Sequence, residues 1–91
     1  MSEEYNGWAN YETWACFLHL SNNEGDYKYI SEMAEKMSIE ELAKFLKEYV
    51  TQIKEMVYIG GANSEAKRLI EDLGSLWRVN WLEVAKGFKE E

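Results

Sequence analysis

Apolar residues recur at helical spacing along most of the chain, and the interruptions divide it into five segments. The first opens at Asn10, a favoured N-cap. Tyr11-Glu12-Thr13 form its first turn, with Glu12 at the positive end of the helix dipole. Trp14, Phe17 and Leu18 follow as its stripe until Asn22, Asn23 and Gly25 break the pattern. A second helix is predicted from Asp26 to about Met37, with Tyr29, Ile30, Met33, Ala34 and Met37 on one face. Ser38-Ile39-Glu40-Glu41 has the form of a capping box. It starts the longest stripe in the chain, Ile39, Leu42, Ala43, Leu46, Tyr49, Val50, Ile53, Met56 and Val57. Gly60-Gly61 stops that helix. Asn63 or Ser64 caps a fourth, with Ala66, Leu69, Ile70 and Leu73 inward and Gly74 at its end. Asn80-Trp81-Leu82-Glu83 is a capping box in form and opens the last, with Trp81, Val84, Ala85 and Phe88 on its stripe.

This pattern predicts an all-α fold, a compact bundle of about five helices around a long central helix at residues 38–58. One helical domain spans residues 1–91, with 1–6 and 89–91 frayed. The absence of proline agrees with it. The predicted core contains Trp14, Phe17, Leu18, Leu42, Leu46, Ile53, Leu69, Trp81 and Val84. Trp8 and Trp77 each precede an asparagine cap, with Trp14 and Trp81 inside the helix that follows. Both placements suit a hydrophobic staple, and the two ends of the chain are expected to pack on each other.

Composition narrows the chemistry. The chain holds a single cysteine, Cys16, so no internal disulfide staples it. Apolar burial must stabilise the domain, each large buried side chain contributing roughly 1.5–3 kcal/mol. Net charge is −7. Residues 1–27 carry Glu3, Glu4, Glu12, Glu24 and Asp26 with no Lys or Arg. No basic stripe is available to displace counterions from phosphates, which disfavours direct nucleic-acid binding. An acidic surface suits a basic protein surface instead. No apolar run is long enough to span a membrane. The acidic start MSEEYNGW lacks the apolar region of a signal peptide, so a cytoplasmic protein with a reduced Cys16 is expected.

Catalysis is not expected. His19 lies three residues after Cys16, but a Cys–His pair at that spacing fits packing better than a nucleophile. Two such ligands do not fill a zinc shell. Asn22-Asn23-Glu24-Gly25-Asp26 lacks the ligand pattern of a calcium loop. Gly60-Gly61 is not followed by the residues of a phosphate loop. No cofactor or metal is implied. A small-molecule or enzymatic site would be sought first at Asn10, Glu12 and His19. The aromatic and asparagine constellation carries the remaining candidates for partner binding: Trp8, Asn10, Tyr11, Glu12 and Trp77, with Glu3, Glu4, Glu24 and Asp26 for a basic surface. Trp and Tyr dominate interface hot spots, yet the same residues suit a small core.

Asn6-Gly7-Trp8-Ala9-Asn10-Tyr11-Glu12-Thr13-Trp14, continued by Leu18, Leu20, Asn22, Asn23, Glu24 and Gly25, resembles the NGW-x-NYETW signature of a family of small phage and plasmid proteins. Val79-Asn80-Trp81-Leu82-Glu83-Val84-Ala85 resembles that family's C-terminal part. The likeness covers about a third of the chain. His19 departs from the pattern, where an apolar or aromatic residue is expected. The resemblance implies a mobile-element accessory protein in a setting like that of antirestriction and anti-CRISPR proteins, and it supplies no active site. The implied partner is a host nuclease or CRISPR effector with a basic surface. The alternative is a structural or regulatory module, such as a homodimer, joined through exposed aromatics.

Overall fold

The computed structural model describes residues 5, 7–61, 64–74 and 76–90, apart from the Glu65 side chain. The fold is all-α, and the described residues form five helices: α1 (Tyr11–Asn22), α2 (Glu24–Lys36), α3 (Ile39–Tyr58), α4 (Ser64–Leu73) and α5 (Trp81–Glu90). A 3-10 turn at Leu76–Arg78 precedes α5. The molecule measures 37 × 33 × 20 Å, about two helix diameters thick. α5 lies along α3, and α1 bridges α2, α4 and α5.

The helix starts follow from local chemistry. The Asn10 side chain accepts from Thr13 N and caps α1. Ser38 and Glu41 form the reciprocal capping box at α3. Asn23 serves two helices. Its N–H donates to His19 O at the end of α1, and its side chain accepts from Asp26 N. That double use starts α2 at Glu24, two residues before the expected Asp26, and places Gly25 within the helix. Gly60, at φ +80°, ends α3. Gly60 N bonds Val57 O and Gly61 N bonds Met56 O, the pairing of a Schellman motif. Asn63, one of the two expected caps of α4, lies outside the described residues.

Leu42, Leu46, Leu69 and Val84 are buried, together with Leu20, Ile30, Val50, Leu73 and Phe88. Trp14, Phe17, Ile53 and Trp81 are placed differently from expectation. They are half-buried and pack against the outside of this aliphatic centre. Leu18 is also half-buried. A layer two helices deep is filled at its centre mainly by aliphatic side chains, together with the Phe88 ring, and puts the other large rings at its margins. Phe88 links that centre to the margin: Trp8 stacks on Phe17 at 5.0 Å between centroids, Phe17 meets Phe88 at 5.0 Å, and Phe88 meets Tyr27 at 6.2 Å. Gly87 permits the first contact, because a Cβ there would stand 2.8 Å from the Phe17 ring.

The C-terminal turn of α5 is held. Lys89 Nζ donates to Ala34 O and Met37 O, both at 2.7 Å. Expected to fray, Lys89 instead satisfies carbonyls left open at the end of α2. Among the described residues, no helix is long and apolar enough to cross a membrane.

Candidate functional site

The N-terminal segment is folded against the start of α5 by a network of polar contacts. Tyr5 and Trp8 exchange backbone hydrogen bonds of 2.8 Å across a tight turn, with Gly7 at φ +87°. Asn10 Oδ1 accepts from Thr13 N at 2.8 Å and from Thr13 Oγ1 at 2.6 Å. Asn10 Nδ2 donates to Arg78 O at 2.8 Å. Thr13, fully buried, accepts from Asn80 N at 2.9 Å with the same hydroxyl. Asn80 Oδ1 caps α5 by accepting from Glu83 N. The expected capping box at Asn80 is therefore opened out. Thr13 takes the Asn80 N–H that Glu83 would have taken, and Glu83 Oε1 accepts from Ala9 N at 2.9 Å instead. Glu12 lies 3.7 Å from Arg78.

A second node joins α1 to α4. Asp72 accepts from Tyr11 Oη at 2.5 Å, and its other oxygen lies 2.9 Å from His19 Nε2. The Tyr11 hydrogen bond, helped by His19, holds the Asp72 carboxyl below its ordinary range despite some desolvation. The same bond, with lesser help from burial, pushes the Tyr11 phenol up. His19 thus turns toward Asp72. Burial pushes the Cys16 thiol up to about 12, leaving it an inert packing group.

A cleft of about 790 Å³ opens among α1, α2, α3 and α4. Its walls include Asp26, Tyr29, Tyr49, Ile53, Met56 and Arg68. Tyr49 Oη donates to Asp26 Oδ1. Burial, then this hydrogen bond, push the Tyr49 phenol up and keep it protonated. Tyr29, Phe45 and Tyr49 form a triangle of rings with centroids 5.7–5.8 Å apart.

Residues 1–84 match the model of DUF7249, a family of unknown function. The chain belongs to DUF7249. No curated protein and no solved structure matches it. The match spans both the N-terminal segment and the Asn80–Glu83 cap.

In this DUF7249 protein the expected site residues separate into groups. Asn10, Tyr11 and Glu12 are committed to contacts within the chain, and Trp8 is half-buried on Phe17. Asn10, Glu12 and His19, the first place to look for a small-molecule site, do not converge. They face Thr13 and Arg78, Arg78, and Asp72 respectively. Glu24 is exposed, and Asp26 borders the cleft. Glu3 and Glu4 lie outside the described residues. Trp77 is 82% exposed. Tyr58 and Ile59, at the end of α3, are also exposed. Among the described residues, no group of three His, Cys, Asp or Glu is arranged to hold a metal.

Sequence reasoning missed Thr13, Asp72, Arg78 and Lys89 as contact residues. The partners of Thr13 and Lys89 across the fold are 67 and 52–55 residues away in sequence, and helical periodicity carries no signal over such separations.

Proposed function

We propose that this protein works by binding another protein, with Trp77 as the anchor of the contact. The role is that of a phage or plasmid product that blocks a host defence complex, a restriction nuclease or CRISPR effector, in the host cytosol. The presentation of Trp77 carries the binding reading. Leu76 packs against the core and Val79 is buried. Arg78 O is tied to Asn10. Trp77 therefore projects from a short turn fixed on both sides, so little side-chain and loop entropy is lost on docking. Nearly exposed tryptophans held in this way have the character of interface hot spots. The net charge of −7 favours a partner with a basic surface. The resemblance to small phage and plasmid proteins supports the defence role.

The test uses tagged protein as bait in lysate from a bacterial host carrying restriction and CRISPR systems. A nuclease or effector should be captured at low salt. Trp77→Ala should lower its affinity about thirtyfold, the scale of a hot-spot residue, at unchanged helicity. In cells, the protein should restore transformation by a targeted plasmid. Equal capture by Trp77→Ala would refute the anchor, and undiminished restriction and interference would refute the role. A homodimer dispersed by Trp77→Ala would instead assign the tryptophan to self-association.

A further inference from the structure

The cleft beside α2 is separate from Trp77 and meets the polar contacts of α1 and α4 at His19, and its chemistry is uneven. Asp26 stands in its wall with one carboxylate oxygen held by Tyr49 Oη. Among the described residues, the other oxygen makes no hydrogen bond, and no ion pair joins Asp26 to Arg68 across the cleft. His19, also in the wall, is turned to Asp72. The Tyr49 ring, whose hydroxyl holds the carboxylate, lies 5.8 Å from the Tyr29 ring between centroids and is tilted by 42° to it, and both rings line the cleft. Tyr29 is partly open to solvent and Arg68 is exposed. Ile53, half-buried, and Met56, exposed, add apolar lining.

We propose that this cleft receives an arginine side chain from a basic segment of a protein partner, with the guanidinium on the Asp26 carboxylate and against the Tyr29 ring. This rests on the reading that the protein acts by binding a basic partner. A planar guanidinium bonds a carboxylate through a fork of N–H donors and stacks on an aromatic face. Ile53 and Met56 accommodate its methylene stem, as apolar surface commonly does for long cationic side chains. Tyr49 fixes the carboxylate before the ligand arrives, which lowers the ordering cost of binding. The net charge of −7 sets a long-range field that draws cations and repels anions. Arg68 is the opposing charge. It is exposed on α4 and lines the same cleft, so its removal favours the incoming cation.

The test titrates isotope-labelled protein with acetyl-argininamide at low salt and follows backbone amide shifts. The neutral isostere acetyl-citrullinamide and inorganic phosphate serve as comparison probes. Saturable shifts are expected at Gly25, Asp26, Tyr29 and Met56 with the arginine probe only. Asp26→Asn keeps an acceptor for Tyr49 but removes the charge, and should weaken binding about tenfold, the scale of a charge-assisted hydrogen bond. Arg68→Glu, at an exposed position, leaves the fold intact and should tighten binding by a similar factor. Absence of saturable shifts, equal response to the citrulline probe, preference for phosphate, or weaker binding by Arg68→Glu would each overturn the proposal. No partner protein is used, so failure here leaves the Trp77 reading standing. Loss of the Trp77 effect leaves this titration unchanged.

Discussion

Replacing Thr13 by valine keeps the shape of a fully buried side chain and deletes one hydroxyl. That hydroxyl donates to Asn10 Oδ1 at 2.6 Å and accepts from Asn80 N at 2.9 Å. Asn10 keeps its bond from Thr13 N, so the cap of α1 survives. The Asn80 N–H is different, because it loses the acceptor it has, in a partly buried contact. A partly buried donor stripped of its acceptor costs about 2 kcal/mol, and the lost Thr13–Asn10 bond adds about 1 kcal/mol. The added methyl group is buried and returns about 1 kcal/mol. The net loss is about 2 kcal/mol, against a total stability of about 5–14 kcal/mol for a domain of this length. Urea unfolding followed by circular dichroism should show it as a lower midpoint with an unchanged slope. The melting temperature should fall by roughly 8–16 °C. Thr13→Ser retains the hydroxyl and loses only a methyl, so it should be the more stable of the two variants. If Thr13→Val unfolds within about 0.5 kcal/mol of the parent, or Thr13→Ser is the weaker, the polar network does not hold the two ends together.

Gly87→Ala gains about 1 kcal/mol of helix propensity but drives a Cβ to 2.8 Å from Phe17 and 3.1 Å from Trp8. Overpacking of about 1–3 kcal/mol should prevail, and calorimetry should show a lower melting temperature. Lys89→Met preserves the stem and helix propensity and removes two hydrogen bonds to the end of α2. It should cost about 1 kcal/mol, with faster amide exchange in the last turn of α2. Asp72 has a folded pKa below its ordinary value of 3.8, caused first by Tyr11. Its contribution is therefore complete above the unfolded pKa and disappears as pH falls through the folded one. Asp72→Asn should flatten that acid limb in pH-dependent urea unfolding, and an unchanged limb would contradict the assignment.

What was legible in the sequence was local. Asn10, Ser38 and Asn80 announce helix starts because a cap and its amide lie three residues apart. The start of α2 shifted because Asn23 does two tasks, and each alone resembles an ordinary turn. The C-terminal capping box misled for a related reason. Its glutamate has a better-placed donor in Ala9, visible only once the ends meet. Periodicity placed Trp14, Phe17 and Trp81 on the inward stripe, but it does not measure how thick the bundle is. Two layers put those rings at the margin of the core. His19 departs from the pattern of the family the opening resembles, and its partner Asp72 lies 53 residues on.

The polar residues of the N-terminal segment have little left to offer a partner. Asn10 and Thr13 bond each other and the start of α5, Glu12 faces Arg78, and Tyr11 bonds Asp72. If the protein binds through Trp77 as proposed, their effect on binding is indirect, through the turn that carries it. Asn10→Asp separates the two tasks of that side chain. Aspartate caps a helix as well as asparagine does, so α1 should keep its start. It has no N–H to give Arg78 O, and its charge repels that carbonyl. The 3-10 turn should loosen while the helices stay formed. The Val79 amide, which donates to Leu76 O within the turn, reports this directly. Its hydrogen exchange should accelerate about fivefold to tenfold, corresponding to the loss of about 1 kcal/mol from one hydrogen bond. Any partner captured through Trp77 should be captured more weakly by Asn10→Asp at unchanged helicity. Exchange at Val79 that matches the parent would show that Leu76 and Val79 alone fix the turn, and that the segment serves the helix start only.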